Sequence, residues 1–198
     1  MELAKTQALL ARLYTDCRFR NRFLEDPECV ASEAGITVEE SQRLAQECSD
    51  QVTGFARSLI AKRLNEVRPL LPRTVRALGA ERFRELFLIH ATEFQPVGIN
   101  KPREDAVGFA KWLERRPANA ESPRQVVRYE RTTLESYDPD RRLIIRLFRL
   151  PENPGDPDSA PRLMLGFWLR LSKRGSIVHC LPRVPHAPRG SSRRARTA

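Results

Sequence analysis

The sequence lacks the short motifs by which many enzymes are recognised. It has no Gly-rich phosphate loop, no GxSxG turn and no HExxH motif, and it contains only three histidines. Its four cysteines, Cys17, Cys29, Cys48 and Cys180, form no CxxC pair, so a structural zinc site has no support. We therefore expect no catalytic residues, no metal and no cofactor in this chain.

Long apolar runs are also absent. Lys5 and Arg12 interrupt the N-terminal pattern, which argues against a signal peptide. No stretch approaches the roughly 18 consecutive apolar residues of a membrane span. These absences predict a cytoplasmic protein with reduced cysteines and no membrane partner.

Acidic residues are outnumbered by basic ones. The chain has 35 Lys and Arg against 25 Asp and Glu, which gives a formal net charge of +10. Such a charge favours an acidic partner: nucleic acid, an anionic surface or an acidic peptide. The preference for Arg over Lys is equally consistent with a GC-rich genome, so charge alone does not choose a function.

In residues 1–115, apolar residues recur at helical spacing. This pattern predicts a helical domain of about six helices, each with its own apolar stripe. The residues that fit helix caps are Asp16, Asp26, Gly35, Thr37 with Glu40, and Ser49 or Asp50. His90 lies on an apolar stripe and is interpreted as a structural residue.

The second part of the chain changes character. Residues 116–125 predict a linker, and residues 126–182 predict an antiparallel meander of three or four strands, one face of which packs on the helices. The predicted strands are 126–137, 141–150, 162–171 and 176–181. The tail, 183–198, has five arginines and no acids and is expected to be disordered. The fold class is therefore α+β.

One face of this sheet is the candidate binding site. Alternation places arginines and aromatic residues together on it. The predicted peptide-binding residues are Arg142, Ile144, Arg146, Phe148, Trp168 and Arg170. Three interpretations remain open: the rings stack nucleic-acid bases; Trp168 covers the sheet while the arginines are solvated; or an edge strand accepts an extended acidic peptide.

A second candidate surface lies in the segment 100–113. Lys101, Arg103 and Trp112 are the predicted partner-docking residues. The alternative is that these are ordinary charges of a helix start, where Glu104 and Asp105 are electrostatically favourable. Cys180 and His179 are strand neighbours that point to opposite faces, which argues against a thiolate–imidazole pair.

The helical segments resemble known families. The stretch "LLARLYTDCRFRNRFLEDPECVASEAGIT" is similar to Nif11-type leader helices and to small helical subunits of extradiol ring-opening dioxygenases. Together with "FARSLIAKRLNEVRPLLPRT" and "PREDAVGFAKWL", it resembles a helical domain downstream of, or fused to, multinuclear non-haem iron-dependent oxidases, over residues 7–113. Those oxidases, the DUF692 family, modify cysteines in ribosomally made peptides.

The resemblance implies an accessory role. Iron ligands belong to the oxidase, and its partner proteins present the precursor's leader by strand pairing. We therefore expect a non-catalytic partner whose helical domain docks on the oxidase and whose strand 143–149 or 163–170 captures the leader. The alternatives are a basic nucleic-acid-binding protein and an oligomerising structural protein.

Overall fold

The computed structural model describes residues 3–97, 100–116, 121–152, 159–171 and 176–184. The chain divides into two compact units, Met1–Leu134 and Glu135–Ala198. The first is helical and the second contains a sheet, so the predicted α+β class is confirmed.

The described residues contain eight α-helices, one 3-10 turn and three strands. The helices are α1 (Leu3–Thr15), α2 (Cys17–Glu25), α3 (Pro27–Ala34), α4 (Val38–Val67), α5 (Pro72–Leu78), α6 (Ala80–Glu93), α7 (Lys101–Glu114) and α8 (Glu121–Glu135), with the 3-10 turn at Arg68–Leu70. The strands are β1 (Leu143–Pro151), β2 (Pro161–Arg170) and β3 (Ile177–Cys180). Seven α-helices lie before residue 115, somewhat more than the predicted six.

The early helix boundaries follow the predicted caps. The carboxylates of Asp16 and Asp26 each accept a hydrogen bond of 3.0 Å from a backbone N–H three residues later. Thr37 and Glu40 form the reciprocal capping box, with both bonds at 3.2 Å. Gly35 has a φ of 67°, the left-handed conformation that ends α3.

Helix α4 corrects one predicted boundary. Ser49 and Asp50 were expected to cap a new helix, but α4 runs through them for 30 residues. The buried side chains of Val52 and Ala56 continue its apolar stripe on the next turns. Ser and Asp cost well under about 1 kcal/mol in a helix interior, so packing decides against a break.

The helical unit has two apolar cores, and α4 contributes to both. The first contains Leu9, Leu13, Phe19, Phe23, Val30 and Val52. The second contains Val67, Leu71, Phe83, Leu86, Phe87, Ala106, Phe109, Ala110, Leu113, Val127 and Leu134. The long helix therefore ties the α1–α3 segment to the α5–α8 segment.

Helix α8 overturns the predicted strand 126–137 and the C-terminal half of the predicted linker. Val127, Glu130 and Leu134 are buried at a spacing of three and four residues, which is the period of a helix. Thr132 and Thr133 donate their hydroxyl groups to the carbonyls four residues earlier. The β-branched residues that suggested a strand are thus accommodated in a helix, because tertiary packing outweighs their propensity.

The remaining three predicted strands form the sheet. Their order is β1-β2-β3, and both pairings are antiparallel. Residues 172–175, between the last two strands, and nearly all of the predicted disordered tail lie outside the described residues.

Candidate functional site

The six predicted peptide-binding residues share one face of the sheet, as the alternation predicts. Ile144 pairs with Trp168, Arg146 with Gly166, and Phe148 with Met164. Arg142 and Arg170 continue the same register, since the Arg170 N–H donates to the Arg142 carbonyl at 2.8 Å. We call this the Trp168 face.

The Trp168 face is largely buried. Trp168 and Phe148 are each 1% exposed. The Trp168 ring stacks on His179 at 4.8 Å between centroids, and Phe148 meets it edge-on at 5.9 Å. The interpretation in which these two rings stack nucleic-acid bases is therefore corrected, because neither ring face is open to a base.

The arginines of this face differ in their surroundings. Arg142 is exposed, whereas Arg146 and Arg170 are half-buried. Arg170 donates a hydrogen bond of 2.9 Å to the Ser136 carbonyl. Arg142 is thus the most accessible cation of the three.

Gly166 makes room for the buried rings. A Cβ atom at this position would lie 2.5 Å from two ring atoms of Trp168 and 2.7 Å from Phe148. We expect Gly166→Ala to lower the free energy of unfolding by about 1–3 kcal/mol, because the rings must shift out of a packed arrangement. Urea denaturation followed by circular dichroism measures the change.

Gly54→Ala is the matched control. A Cβ atom at Gly54, inside α4, meets nothing within 4 Å. Ala is a better helix former than Gly, so this change should raise stability by up to about 1 kcal/mol. Shifts of the same sign in both variants would contradict the packing role of Gly166.

The opposite face of the sheet is apolar and open. Leu143, Ile145 and Leu147 of β1 are 52%, 55% and 48% exposed. The register places Leu169, Phe167 and Leu165 beside them, and Val178 and Cys180 of β3 extend the surface. We call this the leucine face. The face with the more regular leucine pattern is therefore the exposed one.

The two candidate leader-binding strands differ in their edges. β2 is paired on both sides, by β1 and β3. Beyond β3, Leu165 donates its N–H to the Pro182 carbonyl, and Val184 donates to the Leu163 carbonyl. The 163–170 alternative is therefore corrected, since this strand has no open edge. Within the described residues, the outer edge of β1 carries no paired strand.

The hydrogen-bonding direction along β1 follows from one contact. Because Arg142 bonds to Arg170, the even-numbered residues of β1 direct their backbone groups toward β2. The odd-numbered residues Leu143, Ile145, Leu147 and Arg149 then direct their N–H and C=O groups outward. The side chains of these same four residues are exposed.

Glu152, the residue that follows β1, is paired near the far end of this sheet. Glu152 contacts Arg162 at 2.7 Å and Arg183 at 3.8 Å. Residues 153–158 lie outside the described part of the chain. Glu152 is thus engaged by arginines other than Arg142, Arg146 and Arg170.

The three predicted docking residues are spread along α7. Lys101 is exposed at its first position, and the Arg103 N–H bonds to the capping side chain of Asn100. Trp112 lies eleven residues from Lys101, about 16 Å along the axis. Its indole N–H donates to Glu93 at 3.0 Å, and Arg116 covers its ring at 3.8 Å. The structure does not bring Trp112 together with the two cations.

Asp105, expected to be an ordinary charge at the start of α7, is instead buried and paired with a residue of another helix. Arg63 donates two hydrogen bonds, of 2.8 and 2.9 Å, to the Asp105 carboxylate, and the His90 Nε2 lies 3.6 Å from it. Burial alone would raise the pKa of Asp105, but Arg63 and His90 outweigh it and hold that pKa below 3.8. These groups link α4, α6 and α7.

A second buried carboxylate caps a helix. Glu130 of α8 accepts hydrogen bonds from the backbone N–H groups of Arg73 and Thr74 and from the Thr74 hydroxyl, at 2.7–2.8 Å. Helix α5 has no capping side chain at its own N-cap residue, Leu71. Burial raises the pKa of Glu130 above 4.5 despite these bonds.

No family model, curated protein or solved structure matches the chain. None of the described helices is both long and apolar enough to cross a bilayer. Among the described residues, no group of three or more His, Cys, Asp or Glu side chains is placed to hold a metal ion.

Proposed function

We propose that this protein is a non-catalytic partner of a peptide-modifying multinuclear non-haem iron oxidase, and that β1 binds the precursor's leader peptide as an added strand. The observation that carries the proposal is the outer edge of β1, whose outward backbone groups belong to residues with exposed apolar side chains. Strand addition uses the backbone groups for affinity and the alternate side chains for specificity.

The edge of β1 favours a leader of definite chemistry. Side chains at every second leader position would extend the leucine face beside Leu143, Ile145 and Leu147. Arg149 lies on the same face of β1 as these three residues. An acidic residue at the matching leader position would therefore form an ion pair with Arg149. An alternating apolar segment with one acid at its end is thus the expected partner.

The helical unit would dock on the oxidase, which retains the iron. Lys101 and Arg103 at the start of α7 are the residues proposed for this contact, and Trp112 supports the helix from within. Support comes from their position on the first turn of α7 and from the resemblance of residues 7–113 to the helical domains of such oxidases. Co-expression with the oxidase and its precursor should yield a complex that survives gel filtration.

Leu147→Pro tests the strand-pairing edge. Its N–H points outward, so proline removes a donor from the free edge without removing a bond to β2. We expect leader binding, measured by fluorescence anisotropy of a labelled peptide, to weaken by about tenfold or more.

Leu147→Thr separates the edge from the face. Threonine retains the backbone N–H and suits a strand, so it should weaken leader binding only about two- to threefold through lost apolar contact. Circular dichroism checks that both variants keep the fold. Leader affinity that is the same for the proline variant and the unchanged protein would remove β1 as the binding edge.

Two alternatives rest on separate observations. Nucleic-acid binding is supported by the net charge of +10, and it predicts an affinity for DNA or RNA that falls steeply with salt. Titrations with DNA and RNA that show no binding at low salt would exclude this alternative.

Self-association is favoured by the exposed leucine face. Sedimentation of the protein alone and with leader distinguishes a permanent oligomer from a partner surface.

A further inference from the structure

The helical unit contains a cleft of about 280 Å³, which shares Lys101 with the proposed docking contact and the Arg63–Asp105 pair with the buried charges described above. Its walls come from α1, α2, α4, the C-terminal end of α6 with the segment after it, and the start of α7. The apolar part of the lining includes Tyr14, Leu59, Ile60, Ala91, Pro96 and Pro102. The volume is close to the lower end of the range for small-molecule sites, about 300 Å³.

The charged lining of the cleft is predominantly cationic. Two of its four cations have acidic partners in the cleft: Arg63 is paired with Asp105, and Lys62 lies 3.9 Å from Glu66. The other two, Arg20 and Lys101, have no carboxylate within 4 Å among the described residues. The cleft therefore has two cations in excess.

Both excess cations have hydrogen-bonding capacity to spare. Arg20 donates one N–H to the Leu13 carbonyl at 3.0 Å, which leaves other guanidinium N–H groups for a ligand. Lys101 is the first residue of α7, where the positive end of the helix dipole adds to the potential of its ammonium group. An anionic group placed between them would gain charge-assisted hydrogen bonds beside an apolar wall.

We propose that this cleft binds a small organic anion: a carboxylate or phosphate head group carried on an apolar body. The head would contact Arg20 and Lys101, and the body would lie against Tyr14, Leu59 and Ile60. Arg63 and Asp105 already satisfy each other and form a neutral floor. Lys62 and Glu66 form part of the rim.

Calorimetric titration of the purified full-length protein tests this assignment. Octanoate and octyl phosphate present the two possible heads on the same body, and the tighter of the two identifies the preferred head. Octanol supplies the body without charge, and acetate supplies a head without the body. We expect binding of at least one octyl anion to be at least tenfold tighter than that of octanol or acetate.

Two variants and one control locate the binding. Arg20→Gln and Lys101→Gln should each weaken anion binding about fivefold or more and leave octanol binding unchanged. Arg57→Gln removes an exposed cation of α4 that does not line the cleft, so it should change nothing. Equal affinity for octanol and the anions, an equal loss in the Arg57 variant, or no binding of any octyl compound would overturn the proposal.

Discussion

Replacing Asp105 with Asn is expected to lower the free energy of unfolding by about 3 kcal/mol. The amide would present an N–H₂ group to the guanidinium of Arg63, so a buried cation would lose its partner. The expected loss lies at the low end for a broken buried ion pair, because Arg63 retains a hydrogen bond of 2.9 Å to the Phe94 carbonyl. Asp50→Asn, on an exposed turn of α4, should change stability by less than about 0.5 kcal/mol.

The pH dependence of this effect has a definite sign. The pKa of Asp105 is lower in the folded state, so its stabilising contribution is present above its unfolded value, near 3.8, and is lost as pH falls through the folded value. Urea unfolding at several pH values should therefore show the difference between the parent and Asp105→Asn shrinking below pH 3.8. A difference that grows with acidification would contradict this account.

Replacing Glu130 with Ala should also cost about 3 kcal/mol. The change leaves the N–H and hydroxyl of Thr74, a fully buried residue, without their acceptor and removes the only side chain that caps α5 among the described residues. Glu85→Ala is the matched control, since Glu85 forms an exposed pair with Arg82 and should contribute well under about 1 kcal/mol.

Glu130 should give the opposite pH dependence to Asp105. Its pKa is raised in the folded state, so its contribution is full below 4.5 and declines as pH rises through the folded value. The cost of Glu130→Ala should therefore be larger at pH 4 than at pH 7. Thermal unfolding of the parent and the variant at pH 4 and pH 7 measures this cost. A larger cost at pH 7 would show that the site stabilises the ionised form of Glu130, which contradicts the raised pKa.

Local signals account for the parts of the fold that the sequence predicts well. Asp16, Asp26 and the Thr37–Glu40 box act within three residues of themselves, so their chemistry is readable without knowing what packs around them. Strand alternation likewise predicts which residues of β1 share a face. Helix α8 was missed because its β-branched residues have strand propensity, while its burial has helical period.

The remaining features depend on residues that are distant along the chain. Arg63 and Asp105 are 42 residues apart, and Glu130 caps a helix 56 residues before it. Alternation also does not say which sheet face is buried when both carry large apolar side chains. That choice depends on the fit of Trp168 and Phe148 around Gly166, which is a property of packing and not of pattern.

The outer edge of β1, which no strand of the described residues covers, has a consequence for the leader peptide that we propose binds there. A strand has a side-chain period of two, so a slip of one residue would turn every apolar leader side chain away from the leucine face. A slip of two residues moves the peptide by about 7 Å and separates its acidic group from Arg149. Under the proposed function, a leader held in one register would fix a distance along the peptide. The number of residues between leader and target would then decide which cysteine reaches the iron of the proposed oxidase partner.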